Sequence, residues 1–389
     1  MSLDLPAGES TRMSPTSTRL YSAWWRSYDW LLLLAAGALS LGGAVVVWSA
    51  SLADMAVSAG DPLYYLKRHL LNLVIGVALG LVASRIAYPQ LRAYTPVLYG
   101  ISVLGLVAVL LVGTSIAGAK AWIKLPGGFT IQPSEFAKVA IILALAFILG
   151  EKRNEQDEPR GGDVVLGLFV AAIPVVLVLL QNDTGTVLVM GTIIIAMVAV
   201  SGAPSRWVVG LFAAAVIGGF IAFRFLLKDY QILRLTSFLN PETSAQGGGF
   251  NVAQARIAIG NGGLSGQGLF QGEQTQGNFV PVNESDFVVS VVGEELGFVG
   301  MMVLILLLAI VLWRGVMIAL RASDLFGRLV ATGVVAWIAF QAFENLGMNV
   351  GIMPVTGVPL PFVSYGGTSM FASWIAIGLL QNVYLRSQE

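Results

Sequence analysis

The chain has 389 residues, of which 56% are hydrophobic and 11% charged, and its formal net charge is zero. Soluble domains carry about 25% charged residues, so this composition predicts a polytopic membrane protein and argues against nucleic acid as a partner. Cysteine is absent and His69 is the single histidine. Disulfides and thiolate chemistry are therefore excluded, and histidine-rich metal sites or histidine-based catalysis are not expected.

The first 28 residues are polar and predict a cytoplasmic leader, whereas residues 29–389 predict a single membrane domain. The first apolar run, Trp30 to Ala53, is 24 residues long and carries no charge. Because the apolar core of a secretory signal is roughly 7–15 residues long, this run is interpreted as a true first span.

Ten apolar segments are long enough to cross a bilayer, whose core of ~30 Å requires about 20 helical residues. They predict an all-α fold of about ten transmembrane helices. The predicted spans are 30–51, 69–87, 94–114, 135–150, 163–181, 185–203, 207–227, 287–313, 326–348 and 356–385.

Together with the two termini, alternate short connections between these spans account for thirteen of the 22 lysines and arginines. The positive-inside rule places those connections, and both termini, in the cytoplasm. One long external loop, residues 228–285, then separates helices 7 and 8. Its sequence ARIAIGNGG predicts a short amphipathic helix that ends at a glycine, and this patterning favours a functional loop over a disordered one.

The segment VNESDFVVSVVGEELGFVG opens the eighth span with several carboxylates. Ser285 is predicted to cap a helix that begins near Asp286, at the external end of the span. Asp286 alone would also be explained as a first-turn carboxylate that complements the helix dipole. Glu294 and Glu295, like Glu344 in the ninth span, must face protein or water, and we expect them to support neighbouring spans through ion pairs or hydrogen bonds.

The sequence QPSEFAK predicts the start of the fourth span, with a proline, a serine and Glu135 in its first turn. Lys138 follows one turn later, already at membrane depth. Two interpretations stay open. The lysine either snorkels towards the interface, or it directs its charge at an external anionic ligand such as a diphosphate.

Two other external connections carry turn residues. In QNDTGTVLV, Asp183 and Gly185 predict a tight turn between the fifth and sixth spans. Further on, GVPLPFVSYGGTS contains prolines and paired glycines that cannot form one regular helix. Such backbone survives at membrane depth only if it is buried in protein or lines a water-filled cavity. We therefore expect an irregular, re-entrant segment with Ser364, Tyr365 and Thr368 as its polar groups.

Four cations are predicted on the same external side as Asp286: Lys120, Lys138, Arg234 and Arg256. A carboxylate can act as a general base, and cations stabilise a diphosphate leaving group. The pattern fits a substrate with a diphosphate and a reacting hydroxyl. A divalent cation, Mg²⁺ or Mn²⁺, would suit the diphosphate oxygens, but the sequence contains no dedicated metal cage.

Five motifs resemble, in order, those of the SEDS family of shape, elongation, division and sporulation proteins. They are QPSEFAK, RLTSFLNP, ARIAIGNGGLSGQG, SDF…GEELGFVG and GVPLPFVSYGGTS. The last motif is more similar to the elongation branch, RodA, than to the division branch, FtsW. The resemblance covers nearly the whole chain after the leader.

This resemblance implies a ten-spanning peptidoglycan glycosyltransferase in the bacterial plasma membrane, with its active site facing outward. The implied substrate is lipid II, an undecaprenyl-diphosphate disaccharide-pentapeptide, and the implied reaction is an inverting transfer for cell elongation and shape. Asp286 falls on the catalytic aspartate of the family. Among the residues expected to bind the substrate, Lys138 matches the lysine after the QPSE motif, Arg234 and Gln254 match polar positions of the loop, and Ser364 lies in the last motif.

The implied partners are a class B penicillin-binding protein, which is a transpeptidase, and other membrane proteins of the elongation complex. Other functions stay open at this point. One alternative is a transporter or flippase of the same lipid, in which Glu294 and Glu344 would relay protons. The others are a division-type glycosyltransferase and a catalytically silent scaffold that recruits a transpeptidase.

Overall fold

The computed structural model describes residues 27–52, 61–116, 118–126, 129–151, 159–226, 232 and 248–388. The predicted leader lies almost entirely outside these residues, as does most of the first third of the predicted long loop. The helices are α1 Trp30–Ser51, α2 Tyr64–Arg85, α3 Tyr88–Val112, α4 Pro133–Leu149, α5 Gly161–Leu180, α6 Thr184–Val200, α7 Ser205–Ile221, α8 Gly248–Asn261, α9 Glu273–Gln276, α10 Val288–Arg321, α11 Leu325–Val350 and α12 Gly367–Arg386.

Each of the ten predicted spans coincides with one of these helices, namely α1 to α7 and α10 to α12. Seven of the described helices are long and apolar enough to cross a membrane, and α6 is a shorter apolar helix. The membrane fold predicted from composition is therefore confirmed. The tenth predicted span begins too early, because the prolines and glycines of residues 351–366 delay α12 until Gly367.

A small antiparallel sheet connects α3 to α4, which the all-α prediction missed. Its strands are β1 Thr114–Ile116, β2 Ala119–Lys124 and β3 Thr130–Ile131, in the order β1-β2-β3. The register pairs Ser115 with Lys120 and Ile123 with Ile131. Strands this short give too little periodic signal to be recognised beside a membrane helix.

Helix α4 lies at the centre of the bundle, and most of its residues are buried. It packs against α3, α5, α6 and α11, while α2 packs tightly along α12. The α2–α12 contact depends on small residues, because a Cβ on Gly378 would overlap the carbonyl oxygen of Gly80. The central helices α4 and α11 both carry fully buried polar side chains, among them Lys138 and Asn345.

Helix α10 is interrupted at Gly297, where φ is +63°. The glycine-rich segment after α8 fits into this interruption through four backbone hydrogen bonds of 2.9–3.1 Å. They join Gln267 to Glu294, Gly268 to Glu295, Phe298 to Gly263 and Val299 to Leu264. The second part of the predicted long loop is therefore a structural component of the membrane domain, since it satisfies the backbone groups that the interruption leaves free.

Candidate active site around Asp286

Asp286 lies in a turn that precedes α10, not in the helix itself. The backbone amides of Ser285, Asp286 and Phe287 all lie 3.1–3.3 Å from the carbonyl oxygen of Val282. Helix α10 begins only at Val288. The prediction that Ser285 caps a helix starting near Asp286 is therefore wrong. The Ser285 Oγ instead donates to the Asp286 Oδ1 at 2.9 Å.

The backbone around Asp286 is held by three consecutive carbonyl groups, each of which accepts a hydrogen bond from residues 345–365. The donors are the Tyr365 amide to the Glu284 oxygen (2.9 Å), the Ser364 Oγ to the Ser285 oxygen (2.5 Å), and the Asn345 and Asn349 Nδ2 groups to the Asp286 oxygen (2.9 and 3.1 Å). These bonds fix the turn against α11 and the irregular segment. The predicted re-entrant segment thus has a defined task, which is to hold the turn that presents the half-buried Asp286 carboxylate.

The irregular segment also passes directly beside the carboxylate. A Cβ on Gly357 would lie 3.4 Å from the Asp286 Oδ2, and the φ of Gly357 is +75°. The next residue, Val358, is tied to α11 through its carbonyl oxygen, which accepts from the Asn345 Nδ2 at 2.8 Å. A glycine suits this position because the backbone is left-handed there and the carboxylate is close.

Lys138 is completely buried on α4. Its Nζ lies 2.8 Å from the Glu135 Oε1 and 2.8 Å from the Gln341 Oε1, and 4.5 Å from the centre of the Trp337 ring. The Gln341 Nε2 continues to the Pro359 carbonyl oxygen at 2.8 Å. The snorkelling interpretation of Lys138 is therefore wrong, because the ammonium group faces protein. Lys138 and Glu135 support the segment that borders Asp286.

Asp183 is the N-cap of α6, as the turn prediction requires. It accepts from the Thr186 amide at 3.1 Å and the Thr186 Oγ1 at 2.8 Å, and the Gln132 Nε2 donates to it at 3.1 Å.

Glu344 is different, because it is fully buried and neither carboxylate oxygen has a well-formed hydrogen bond within the described residues. The Thr356 hydroxyl is close enough to interact with this carboxylate but makes no well-formed hydrogen bond to it. The partner expected for Glu344 is thus not found in the described part of the chain.

Glu294 and Glu295 have separate roles. Glu294 accepts from the Gln274 amide (2.7 Å), the Thr275 amide (2.9 Å) and the Thr275 Oγ1 (2.6 Å), so it binds α9 of the loop. The expectation that Glu294 orients another span is therefore wrong. For Glu295 it is confirmed, because this carboxylate accepts from the Ser49 Oγ of α1 at 2.5 Å.

The other predicted substrate-binding residues have separate surroundings. The Lys120 Nζ donates to the Leu110 carbonyl oxygen at 2.7 Å, near the C-terminus of α3. Arg256 is exposed on α8 and lies beside Gly351, where α11 ends, while Gln254 is half-buried on the same helix. Arg234 lies outside the described residues. Lys120 thus serves the sheet and α3, whereas Arg256 remains a surface cation.

Sequence reasoning missed Asn345 and Asn349, which contact the Asp286 backbone. Their signal was present, because two asparagines four residues apart lie on one face of a helix and are costly inside a span.

A metal cage is not found: within the described ranges, no three His, Cys, Asp or Glu side chains are grouped so that they could hold an ion.

Comparison with known proteins decides the family. A family model named FTSW_RODA_SPOVE and described as a cell cycle protein matches residues 29–389. The chain belongs to this family. The predicted SEDS resemblance is therefore confirmed over the whole membrane domain.

Curated relatives of this SEDS protein carry division, sporulation and glycosyltransferase names. A probable peptidoglycan glycosyltransferase FtsW of Geobacter metallireducens is 38% identical over 92% of this chain and 95% of that protein. Stage V sporulation protein E of Bacillus subtilis is also 38% identical, over 92% and 97%. Peptidoglycan glycosyltransferase MrdB of Escherichia coli is 34% identical over 92% and 93%. These names do not confirm the elongation branch over the division branch.

Solved structures share the fold. A chain from a peptidoglycan synthase complex, described as coordinating polymerization and crosslinking, has a TM-score of 0.78 and 33% identity, covering 94% of this chain and all of that chain. The rod shape determining protein RodA of Thermus thermophilus has a TM-score of 0.68 and 32% identity, covering 94% and 99%. The SEDS protein is therefore an integral membrane protein of this fold.

Proposed function

We propose that the protein polymerises lipid II and that Asp286 is its catalytic residue. At the coarser level it is a peptidoglycan glycosyltransferase, as its curated relatives at 34–38% identity are named. The proposal rests on the way in which neighbouring segments hold Asp286. A half-buried carboxylate lies in a non-helical turn whose three neighbouring carbonyls are all held by other segments. Such pre-organisation is typical of a reacting group.

In the proposed reaction, the Asp286 carboxylate accepts the proton of the acceptor sugar's 4-hydroxyl. The oxygen attacks the anomeric carbon of the donor sugar, whose configuration inverts as undecaprenyl diphosphate leaves. A general base must lie within hydrogen-bond reach of the proton it accepts. The Ser285 hydroxyl, 2.9 Å from the Asp286 Oδ1, would hold the carboxylate in one rotamer during this step.

The departing diphosphate requires positive charge, for which Arg256 and the loop residues Arg234 and Gln254 are the proposed ligands. Arg256 is exposed, as a ligand-binding cation must be. Lys138 is proposed to act on Asp286 indirectly, through the segment after α11 that it supports. Ser364 is proposed to act on Asp286 through its hydrogen bond to the Ser285 carbonyl oxygen. A divalent cation, Mg²⁺ or Mn²⁺, would be held chiefly by the diphosphate, because the described residues offer no cage of their own.

The proposed site faces the outer side of the bacterial membrane, because the positive-inside rule predicts that Asp286 lies on the side opposite the basic connections. A class B penicillin-binding protein is the proposed partner, since the solved neighbour comes from a complex described as joining polymerization to crosslinking. Other membrane proteins of the elongation complex are proposed on the basis of the motif GVPLPFVSYGG alone.

The elongation role is proposed from that motif, and a division role is the second candidate because a relative at 38% identity is named FtsW. Depletion of the protein in its own host separates them. Loss of an elongation enzyme gives rounded cells, whereas loss of a division enzyme gives filaments without septa. Filaments would overturn the elongation proposal and leave the proposed chemistry intact.

Purified protein in liposomes with labelled lipid II tests the activity against the flippase and scaffold alternatives. We expect glycan strands from the wild type and none from Asp286→Ala. Lipid II scrambling without polymer would support a flippase, and neither activity in the presence of the transpeptidase would support a scaffold. Glu294 favours the enzyme, because its oxygens are engaged by α9 and cannot relay protons without releasing the loop.

A further inference from the structure

We propose that Asn345 is a positioning residue for Asp286, and that it sets the distance between the Asp286 carboxylate and the backbone at Gly357. The inference rests on the proposed function, because it assumes that Asp286 reacts. Asn345 would not touch the substrate. It would act through the two chain segments that border the carboxylate.

The geometry of the Asn345 amide supports this role. Its Nδ2 donates to the Asp286 carbonyl oxygen at 2.9 Å and to the Val358 carbonyl oxygen at 2.8 Å. The side chain is fully buried. One amide group therefore uses both of its hydrogens to join two segments that are distant in sequence, and it does so from α11, a helix at the centre of the bundle.

The Asp286 amide and carboxylate have contacts inside their own turn, to the Val282 carbonyl oxygen at 3.1 Å and the Ser285 Oγ at 2.9 Å, whereas its carbonyl oxygen is held by α11. Asn349 provides a second, longer contact to the Asp286 oxygen, 3.1 Å, and accepts from the Ser290 amide at 3.1 Å. Asn349 therefore anchors the start of α10, whereas Asn345 alone also binds Val358. Removal of Asn345 takes away the hydrogen bonds that join Val358 to the turn of Asp286, while the Ser290 amide stays bound to Asn349.

The expected consequence follows from the position of Gly357 beside the carboxylate. A Cβ built on Gly357 would lie 3.4 Å from the Asp286 Oδ2, so the backbone next to Val358 forms one wall of the space in which the carboxylate lies. If Val358 moves, Asp286 loses its defined orientation. A misplacement of about 1 Å can cost about 10²-fold in rate, and kcat should fall while KM for lipid II stays nearly constant.

The test compares Asn345→Ala with Asn382→Ala in the full-length protein in liposomes, with the transpeptidase present. Asn382 is a matched control, because it is a buried asparagine whose Nδ2 donates to the Ala83, Ser84 and Ile86 carbonyls at 2.7–3.1 Å. It lies near the C-terminal end of α12, away from Asp286. We expect Asn345→Ala to lower kcat by about 10²-fold with an unchanged KM, and Asn382→Ala to lower thermal stability without lowering kcat.

Asn345→Asp keeps the size of the side chain and replaces both donated hydrogens by an acceptor, so it serves as the second variant. Folded Asn345→Asp or Asn345→Ala protein with wild-type kcat would overturn the proposal. Loss of fold in both variants would overturn it as well, because Asn345 would then act only in stability. The proposed function fails separately, if Asp286→Ala still forms glycan strands.

Discussion

The Lys138 Nζ and the Glu135 Oε1 lie 2.8 Å apart on one face of α4, and neither side chain is more than 1% exposed. The same Nζ binds the Gln341 Oε1 of α11 at 2.8 Å. Through this second bond the Lys138 ammonium group joins the two central helices α4 and α11. It also supports the backbone that follows α11, because Gln341 continues to the Pro359 carbonyl.

Removing one member of the Lys138–Glu135 pair should destabilise the protein more than removing both. We expect Lys138→Met to lower the free energy of unfolding by about 3–5 kcal/mol, because it leaves the Glu135 carboxylate buried without its counter-charge. The double variant Glu135→Gln/Lys138→Met should recover part of the loss. Denaturation in detergent measures both. An additive loss in the double variant would contradict the assignment of a coupled pair.

Glu294 is expected to control the order of the loop next to the site. Its two oxygens accept three bonds from Gln274 and Thr275, so Glu294→Ala should release α9 and raise hydrogen exchange over residues 262–280. Glu273→Ala is the control, because Glu273 is exposed on the same short helix. Unchanged exchange in Glu294→Ala would show that the backbone bonds to α10 suffice to order the loop.

A side chain at Gly357 should slow the enzyme. Alanine at a left-handed position costs roughly 1–2 kcal/mol, and its Cβ would stand 3.4 Å from the Asp286 Oδ2. We expect Gly357→Ala to lower the rate of polymerisation by about 10-fold or more. Gly37→Ala is the control, because nothing lies within 4 Å of a Cβ there. Equal rates for both variants would contradict the close approach.

The membrane fold was predictable because its signals are long and local. Twenty-residue apolar runs and basic connections specify helices without reference to tertiary contacts, and the prolines after Met353 correctly predicted irregular backbone. The start of α10 was not predictable in the same way. Serine and aspartate are typical of a helix start, but the amides of Ser285 and Asp286 both donate to the Val282 carbonyl oxygen. Both residues therefore lie in a turn before the helix.

The partners of the candidate residues could not be predicted, because they come from distant segments. Asp286 was found from its motif, yet its contact Asn345 is 59 residues away. Lys138 has a sequence signal that fits either a lipid-facing or a ligand-facing cation. Only the packing of α4 against α11 shows that the ammonium group meets Gln341 and the Trp337 ring.

The catalytic role of Asp286 is tested most directly by the single-turnover rate of lipid II polymerisation by Asp286→Asn. The rate is measured beside wild type with equal amounts of folded protein. The variant keeps the size of the side chain and all four hydrogen bonds to the backbone carbonyls of residues 284–286, but its amide cannot accept the hydroxyl proton as a carboxylate does. We predict that polymer formation falls by at least about 10²-fold, within the contribution of a general base, while lipid II binding is retained. Polymer formation at the wild-type rate would contradict the central claim.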